Sequence, residues 1–165
     1  MRYDIKTYGE EILRKKALKV EAIDEEILKL LDDMVETMEE AKGVGLAAPQ
    51  IGVDKRIFVM DIGDGIIRKI INPELEYSEE TEENEEGCLS VPGIYRGVKR
   101  SKSVKATYTN EKGETITEEA EGLLSRAFQH EYDHLEGVLF TDKVSPVSKR
   151  LISKKLQNLA KMVKK

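Results

Sequence analysis

Residues 128–137 read FQHEYDHLEG and contain both histidines of the chain, His130 and His134. Imidazoles at i and i+4 of a helix share a face and can grip one metal ion. This predicts a helix over about residues 122–135, with Gly137 at its C-terminal cap. Leu123, Ala127, His130 and His134 form one stripe of that helix. Leu124, Phe128, Glu131 and Leu135 form the adjoining stripe, so Glu131 sits where a buried apolar side chain is expected. Burial there should raise its pKa toward the range useful for proton transfer. The pattern is H-E-x-x-H: two ligands and a carboxylate that handles the proton of a metal-activated water. A surface helix with two chance histidines is the plainer alternative.

A catalytic site needs a third ligand. One group of H-E-x-x-H proteases takes a glutamate about twenty residues downstream, but the only acids after His134 are Glu136 and Asp142. Another takes a histidine from H-E-x-x-H-x-x-G-x-x-H; this chain matches as far as Gly137 and then has Phe140. The ligand must therefore lie upstream. Cys88, the only cysteine, is the best candidate, between Gly87 and an expected turn at Pro92-Gly93. A thiolate suits zinc or iron(II), and Cys-His-His leaves one position open to water. A lone cysteine is otherwise an inert buried residue.

The rest of the chain frames these residues. Asp24 reads as an N-cap, followed by apolar positions from Ile27 to Ala41 at helical spacing, with Gly43 as the stop. Residues 56–62 read as a buried strand and residues 68–77 as another, interrupted at Asn72-Pro73. The acidic run at 78–86 is expected as a solvated loop or edge. Residues 102–109 and 114–120 flank a turn from Asn110 to Gly113, a hairpin. From Ser148 on, Ile152, Leu156, Leu159 and Val163 recur at helical spacing opposite lysines. Strands fill the middle and helices the ends, so the fold class is α+β: antiparallel or mixed sheets around the H-E-x-x-H helix, with an N-terminal and a C-terminal helix. One domain is expected, with residues 1–147 as the catalytic body and 148–165 as a basic amphipathic helix packed on it.

Three stretches, GVGLAAPQ (43–50), EGCLS (86–90) and HEYDH (130–134), resemble the three motifs of peptide deformylases, in that family's order. The resemblance covers nearly the whole chain and is similar to the compact bacterial branch. It implies hydrolytic removal of the formyl group from N-formylmethionine of nascent peptides, releasing formate, with Cys88, His130 and His134 as metal ligands and Glu131 as general base and acid. It further implies the side-chain amide of Gln50 and the backbone N–H of Leu89 as oxyanion donors. On the residues alone Gln50 is an ordinary loop glutamine. Gly43 and Gly45 around Val44 read as a helix stop and turn, and also as exposed backbone that pairs with an extended substrate. Val44, Leu123 and Ala127 are pocket-lining candidates, or simply core. Gly87 is a further substrate-side candidate, Tyr95 and Arg126 are candidates for the rim, and the resemblance suggests an ion pair of Glu86 with Arg100. It implies iron(II) as the cellular metal, with zinc, nickel or cobalt able to substitute.

The net charge of −5 conceals an asymmetry: residues 143–165 carry eight Lys or Arg and no acid. The body is therefore strongly acidic and the tail basic. The lysine face is either solvated or binds an anionic partner, and for an enzyme of nascent chains the expected partner is ribosomal RNA or protein near the exit tunnel. No DNA or membrane partner is expected. No apolar run is long enough to span a bilayer, and the charged start is unlike a secretory signal. A single cysteine fits a reducing cytoplasm. Two other functions stay open. A metalloprotease or aminopeptidase lacks its downstream ligand here, and a structural zinc site is usually closed by four ligands.

Overall fold

The computed structural model describes residues 2–163. Its elements are α1 (Glu25–Glu40), β1 (Gly45–Ala47), β2 (Ile57–Asp61), β3 (Ile67–Tyr77), β4 (Thr81–Cys88), β5 (Val91–Ser101), β6 (Ser103–Thr109), β7 (Thr115–Glu121), α2 (Gly122–Leu135) and α3 (Pro146–Val163). One sheet has the order β1-β2-β3-β6-β7, and a second consists of β4 and β5. Every strand pairing is antiparallel. The only parallel contact among the described residues is an isolated bridge from Leu18 to Lys55. The α+β class therefore holds, in its antiparallel form.

The unbroken apolar run of β2 has a direct cause: at β2 both faces of the five-stranded sheet are covered. Side chains alternate along a strand. Phe58 and Met60 join a cluster with Phe128 of α2, while Ile57 and Val59 join one with Leu31, Met34 and Met38 of α1. The rings of Phe58 and Phe128 meet edge to face, with centroids 6.2 Å apart. Helix α2 is thus anchored by its apolar stripe, which fixes the height at which its polar residues stand. A third cluster packs Ile152 and Leu156 of α3 against Val91, Ile94 and Val98 of β5. Helix α3 starts at Pro146, slightly ahead of the expected start. Lys164 and Lys165 of the basic tail lie outside the described residues.

The interruption at Asn72-Pro73 is a bulge within β3, where the register with β6 shifts between Ile71 and Glu74. Asn72 has φ +50, and its side chain accepts from Val20 N and donates to Val20 O, both at 2.9 Å. It ties the segment ahead of α1 to the sheet.

Two local expectations need correction. Gly43 does not stop α1. Lys42 takes the left-handed position (φ +58), and the N–H groups of Lys42 and Gly43 return to Glu39 O and Met38 O, closing a Schellman motif one residue early. The tight turn after Cys88 lies at Leu89-Ser90, since Cys88 pairs with Val91; Pro92 and Gly93 are inside β5. The acidic run is the expected solvated edge: Thr81–Cys88 form β4 of the two-stranded sheet, mostly exposed up to Glu85. Glu86 turns inward and pairs with Arg100 and Arg126.

Candidate metal centre

Three parts of the chain converge beside α2. β1 is an edge strand of the large sheet, bonded only to β2, and the 3-10 turn Ala48–Ile51 that follows it presents Gln50. The β4–β5 turn presents Cys88 and Leu89, and α2 presents His130, Glu131 and His134. Between them lies a cavity of about 490 Å³. Gly43, Val44, Gly45 and Gln50 line one side, and Gly87, Cys88, Leu89 and Tyr95 another. Leu123, Arg126, Ala127, His130 and Glu131 of α2 complete it. Val44, Tyr95 and Leu123 are exposed at the rim. His134, 1% exposed, stands behind the others.

The donor atoms of Cys88, His130 and His134 all lie within 4.8 Å of one another, with Cys88 Sγ 3.3 Å from His134 Nε2. Sulfur and nitrogen ligands of one tetrahedral zinc, at bond lengths of about 2.0–2.3 Å, stand roughly 3.5 Å apart, so the trio fits a single transition-metal ion. Burial disfavours charge on both imidazoles. On His130, hydrogen bonds with Cys88 and Glu86 outweigh burial and hold its pKa well above the usual value. On His134 burial acts unopposed, and the charge on His130 pushes the pKa still lower.

Glu86 orients His130, with Oε1 2.9 Å from Nδ1, which leaves Nε2 for the metal side. The same carboxylate accepts two bonds from Arg100, each 2.9 Å, and one from Arg126 Nη1 at 2.5 Å. Burial would raise the pKa of Glu86, but His130 and Arg100 outweigh it and pull it down to about 2. Arg100 also bonds Asp133. The expected pair of Glu86 with Arg100 is therefore present within a larger buried network. Arg126, expected at the rim, is 8% exposed, because its guanidinium also donates to Val98 O and Glu82 O, each at 2.9 Å. It belongs to the pocket wall.

Two polar groups here lack a partner among the described residues: Nδ1 of His134 and Oε1 of the Glu131 carboxylate. Glu131 is 5% exposed. Burial raises its pKa to about 7, against an opposing pull from His130. A carboxylate buried beside a metal site without a hydrogen bond is poised to exchange a proton near neutrality. The glycines make room for it. A Cβ on Gly45 would stand 2.5 Å from Glu131 Oε2, one on Gly43 would stand 2.7 Å from Leu89 Cδ1, and one on Gly87 would overlap the ring of Tyr95.

Sequence reasoning missed two residues of this neighbourhood. Asp133 helps bind Arg100, and its place inside the H-E-x-x-H turn was a usable signal. Ser90 accepts a hydrogen bond from Gln50 Nε2 at 3.1 Å; its place at the end of the EGCLS stretch was the available signal.

This antiparallel α+β fold, with a cysteine at the end of β4 facing two imidazoles and an unbonded carboxylate on α2, defines a metal-dependent hydrolase. Comparison with known proteins narrows the class. The family profile described as Polypeptide deformylase matches residues 2–150. The peptide deformylase of Fusobacterium nucleatum is 56% identical over 100% of this chain and 97% of its own length. The crystal structure of peptide deformylase from Thermotoga maritima, 50% identical, superposes with a TM-score of 0.86 over 88% of this chain and 99% of that one. A Synechococcus elongatus peptide deformylase, solved in complex with actinonin, is 38% identical with a TM-score of 0.88, covering 93% and 87% of the two chains. The chain belongs to the peptide deformylase family.

Proposed function

We propose the following division of labour for the reaction of this family, the metal-dependent removal of the formyl group from nascent peptides. Cys88, His130 and His134 hold one divalent ion, which acts as a Lewis acid and increases the acidity of water in the site. Glu131 takes the proton of the attacking water and passes it to the departing amine as the C–N bond breaks, leaving formate. Gln50 Nε2 and the Leu89 N–H receive the negative charge that develops on the formyl oxygen. The observation that carries this reading is the partnerless, buried Glu131 carboxylate lining the same cavity as the metal ligands.

The free edge of β1 offers backbone for an extended peptide to add as a strand, which fits a substrate read mainly through its main chain. Val44, Leu123 and Ala127, with the wall made by Arg126 and by Tyr95 against Gly87, then receive the methionine side chain. The metal in the cell is iron(II), with zinc, nickel or cobalt as substitutes. The enzyme works in the cytoplasm; among the described residues no helix is long and apolar enough to cross a membrane. Residues 1–147 form the catalytic body. The C-terminal segment, residues 148–165, tethers it to ribosomal RNA or protein near the exit tunnel, a reading supported by exposed Lys149, Arg150, Lys154 and Lys155 on α3 beside its packed apolar stripe.

The reaction is tested by formate release from a formyl-Met tripeptide, using protein loaded anaerobically with iron(II) or nickel(II). Wild type should release formate, and Glu131→Gln should keep metal and fold but lose turnover. Turnover by the variant removes Glu131 as the base. Removing residues 148–165 should weaken ribosome binding in a salt-dependent way and spare tripeptide hydrolysis; undiminished binding refutes the tether.

A further inference from the structure

Ser90 has no part in the chemistry just assigned, yet it is fully buried against Gln50 (0% exposed). The two ends of a primary amide are nearly equal in size and opposite in hydrogen-bonding sense. An unrestrained glutamine can present its oxygen to a developing oxyanion as readily as its nitrogen, and the oxygen would repel it. Two contacts remove that freedom here. The backbone N–H of Ala47 donates to Gln50 Oε1 at 2.9 Å. A backbone N–H cannot accept, so this contact decides which end is oxygen. Nε2 then carries two protons. One is donated to Ser90 Oγ at 3.1 Å, and the nitrogen also lies 3.6 Å from Cys88 Sγ. The contact with sulfur is the longer and weaker of the two, so its proton is the one available for transfer to another acceptor.

We propose that Ser90 is a positioning residue for Gln50: its hydroxyl holds one proton of Nε2 and so aims the other at the reacting formyl oxygen. Ala47 sets the orientation of the amide and Ser90 sets its direction. Without the hydroxyl, the amide stays held at Oε1 by Ala47, but Nε2 keeps only the long contact with sulfur and its direction loosens. Preorganised donors are effective because they need no rearrangement as charge develops. The loss should therefore appear in kcat and leave KM nearly unchanged. The inference rests on the assignment of Gln50 to the oxyanion.

The test is a double-mutant cycle on metal-loaded protein, with kcat and KM for a formyl-Met tripeptide, metal content and thermal midpoint measured for each variant. Gln50→Ala should lower kcat by about 10²–10³-fold, the usual cost of one oxyanion donor. Ser90→Ala should lower kcat about 10-fold with KM within about 2-fold and metal content unchanged, an amount consistent with a donor present but poorly held. Added to Gln50→Ala, the Ser90→Ala change should alter kcat by less than about 2-fold, because its target is gone. An equal loss in both backgrounds, or no loss in either, overturns the proposal. A normal kcat for Gln50→Ala alone removes the oxyanion assignment and the Ser90 role with it. The single variants therefore separate the two failures. Should Ser90→Ala fold poorly, Ser90→Cys makes the same comparison, since a thiol is a weak acceptor.

Discussion

Gly45→Ala isolates the position of Glu131 without touching Glu131. Gly45 lies outside the left-handed region, so alanine fits its backbone. The added Cβ would stand 2.5 Å from Glu131 Oε2, 2.9 Å from Cδ and 3.0 Å from Cγ. Ordinary contact begins near 3.4 Å, which leaves an overlap of roughly 0.9 Å at the oxygen. Something must move, and the carboxylate is the softer side. Its Oε1 has no partner to lose, whereas Gly45 is held in register with Met60 of β2. Misplacing a reacting group by about 1 Å costs on the order of 10²-fold in rate, close to 2.7 kcal/mol in activation free energy. The expected result is a kcat about 10²-fold lower on a formyl-Met tripeptide, with metal content unchanged and the thermal midpoint within a few degrees. KM is the less decisive quantity, because β1 is also the edge proposed to bind the peptide. A kcat within about 3-fold of wild type would refute the reasoning: either the site has room for the methyl group, or the placement of Glu131 does not limit turnover.

Two further perturbations test the surroundings. Glu86→Gln removes the anion shared by Arg100, Arg126 and His130. Breaking a buried pair typically costs about 3–5 kcal/mol, and loss of the partner that orients a metal-bound histidine weakens metal binding about 10–100-fold; denaturant unfolding and chelator competition measure the two effects separately, and undiminished metal affinity would remove Glu86 from the support of His130. In the metal-free protein, the Glu131 pKa of about 7 stands above its ordinary 4.5. A raised carboxyl pKa stabilises the fold fully below about pH 4.5, and that contribution is lost as pH rises through about 7, roughly 3 kcal/mol as an order of magnitude. Unfolding midpoints from pH 5 to 8 should therefore fall more steeply for wild type than for Glu131→Gln, and parallel profiles would mean that Glu131 titrates normally.

Several parts of the molecule were legible from short stretches of chain because the interactions that specify them are themselves local. Asp24 accepts from Ile27 N at 3.0 Å, as an N-cap one turn away must. The Asn110–Gly113 turn closes on its own backbone and side-chain bonds. The spacing of His130 and His134 places both rings on one face of any helix that forms there. Where local rules failed, a distant partner had intervened. Glu86 of β4 turns inward because Arg100 of β5 and Arg126 of α2 meet it there. Gly43 is matched to the approach of Leu89 rather than to a helix cap, which Lys42 supplies instead. Arg126 looked like a rim residue until Glu86 and two carbonyls of the small sheet drew its head group inward.

By itself, then, the sequence determined the helices, the hairpin, the α+β order of elements and the pair of histidines able to share an ion, since each depends on residues within a turn or two of one another. Tertiary structure alone decided that Gln50, Cys88 and Glu131, which come from three separate elements, line one cavity. It also decided the state of the glutamate. Packing α2 against the large sheet leaves Glu131 only 5% exposed at the cavity wall, with no hydrogen bond to its Oε1 from the described residues. A carboxyl group that would titrate near 4.5 in solvent is thereby brought to about 7, because burial disfavours its charged form.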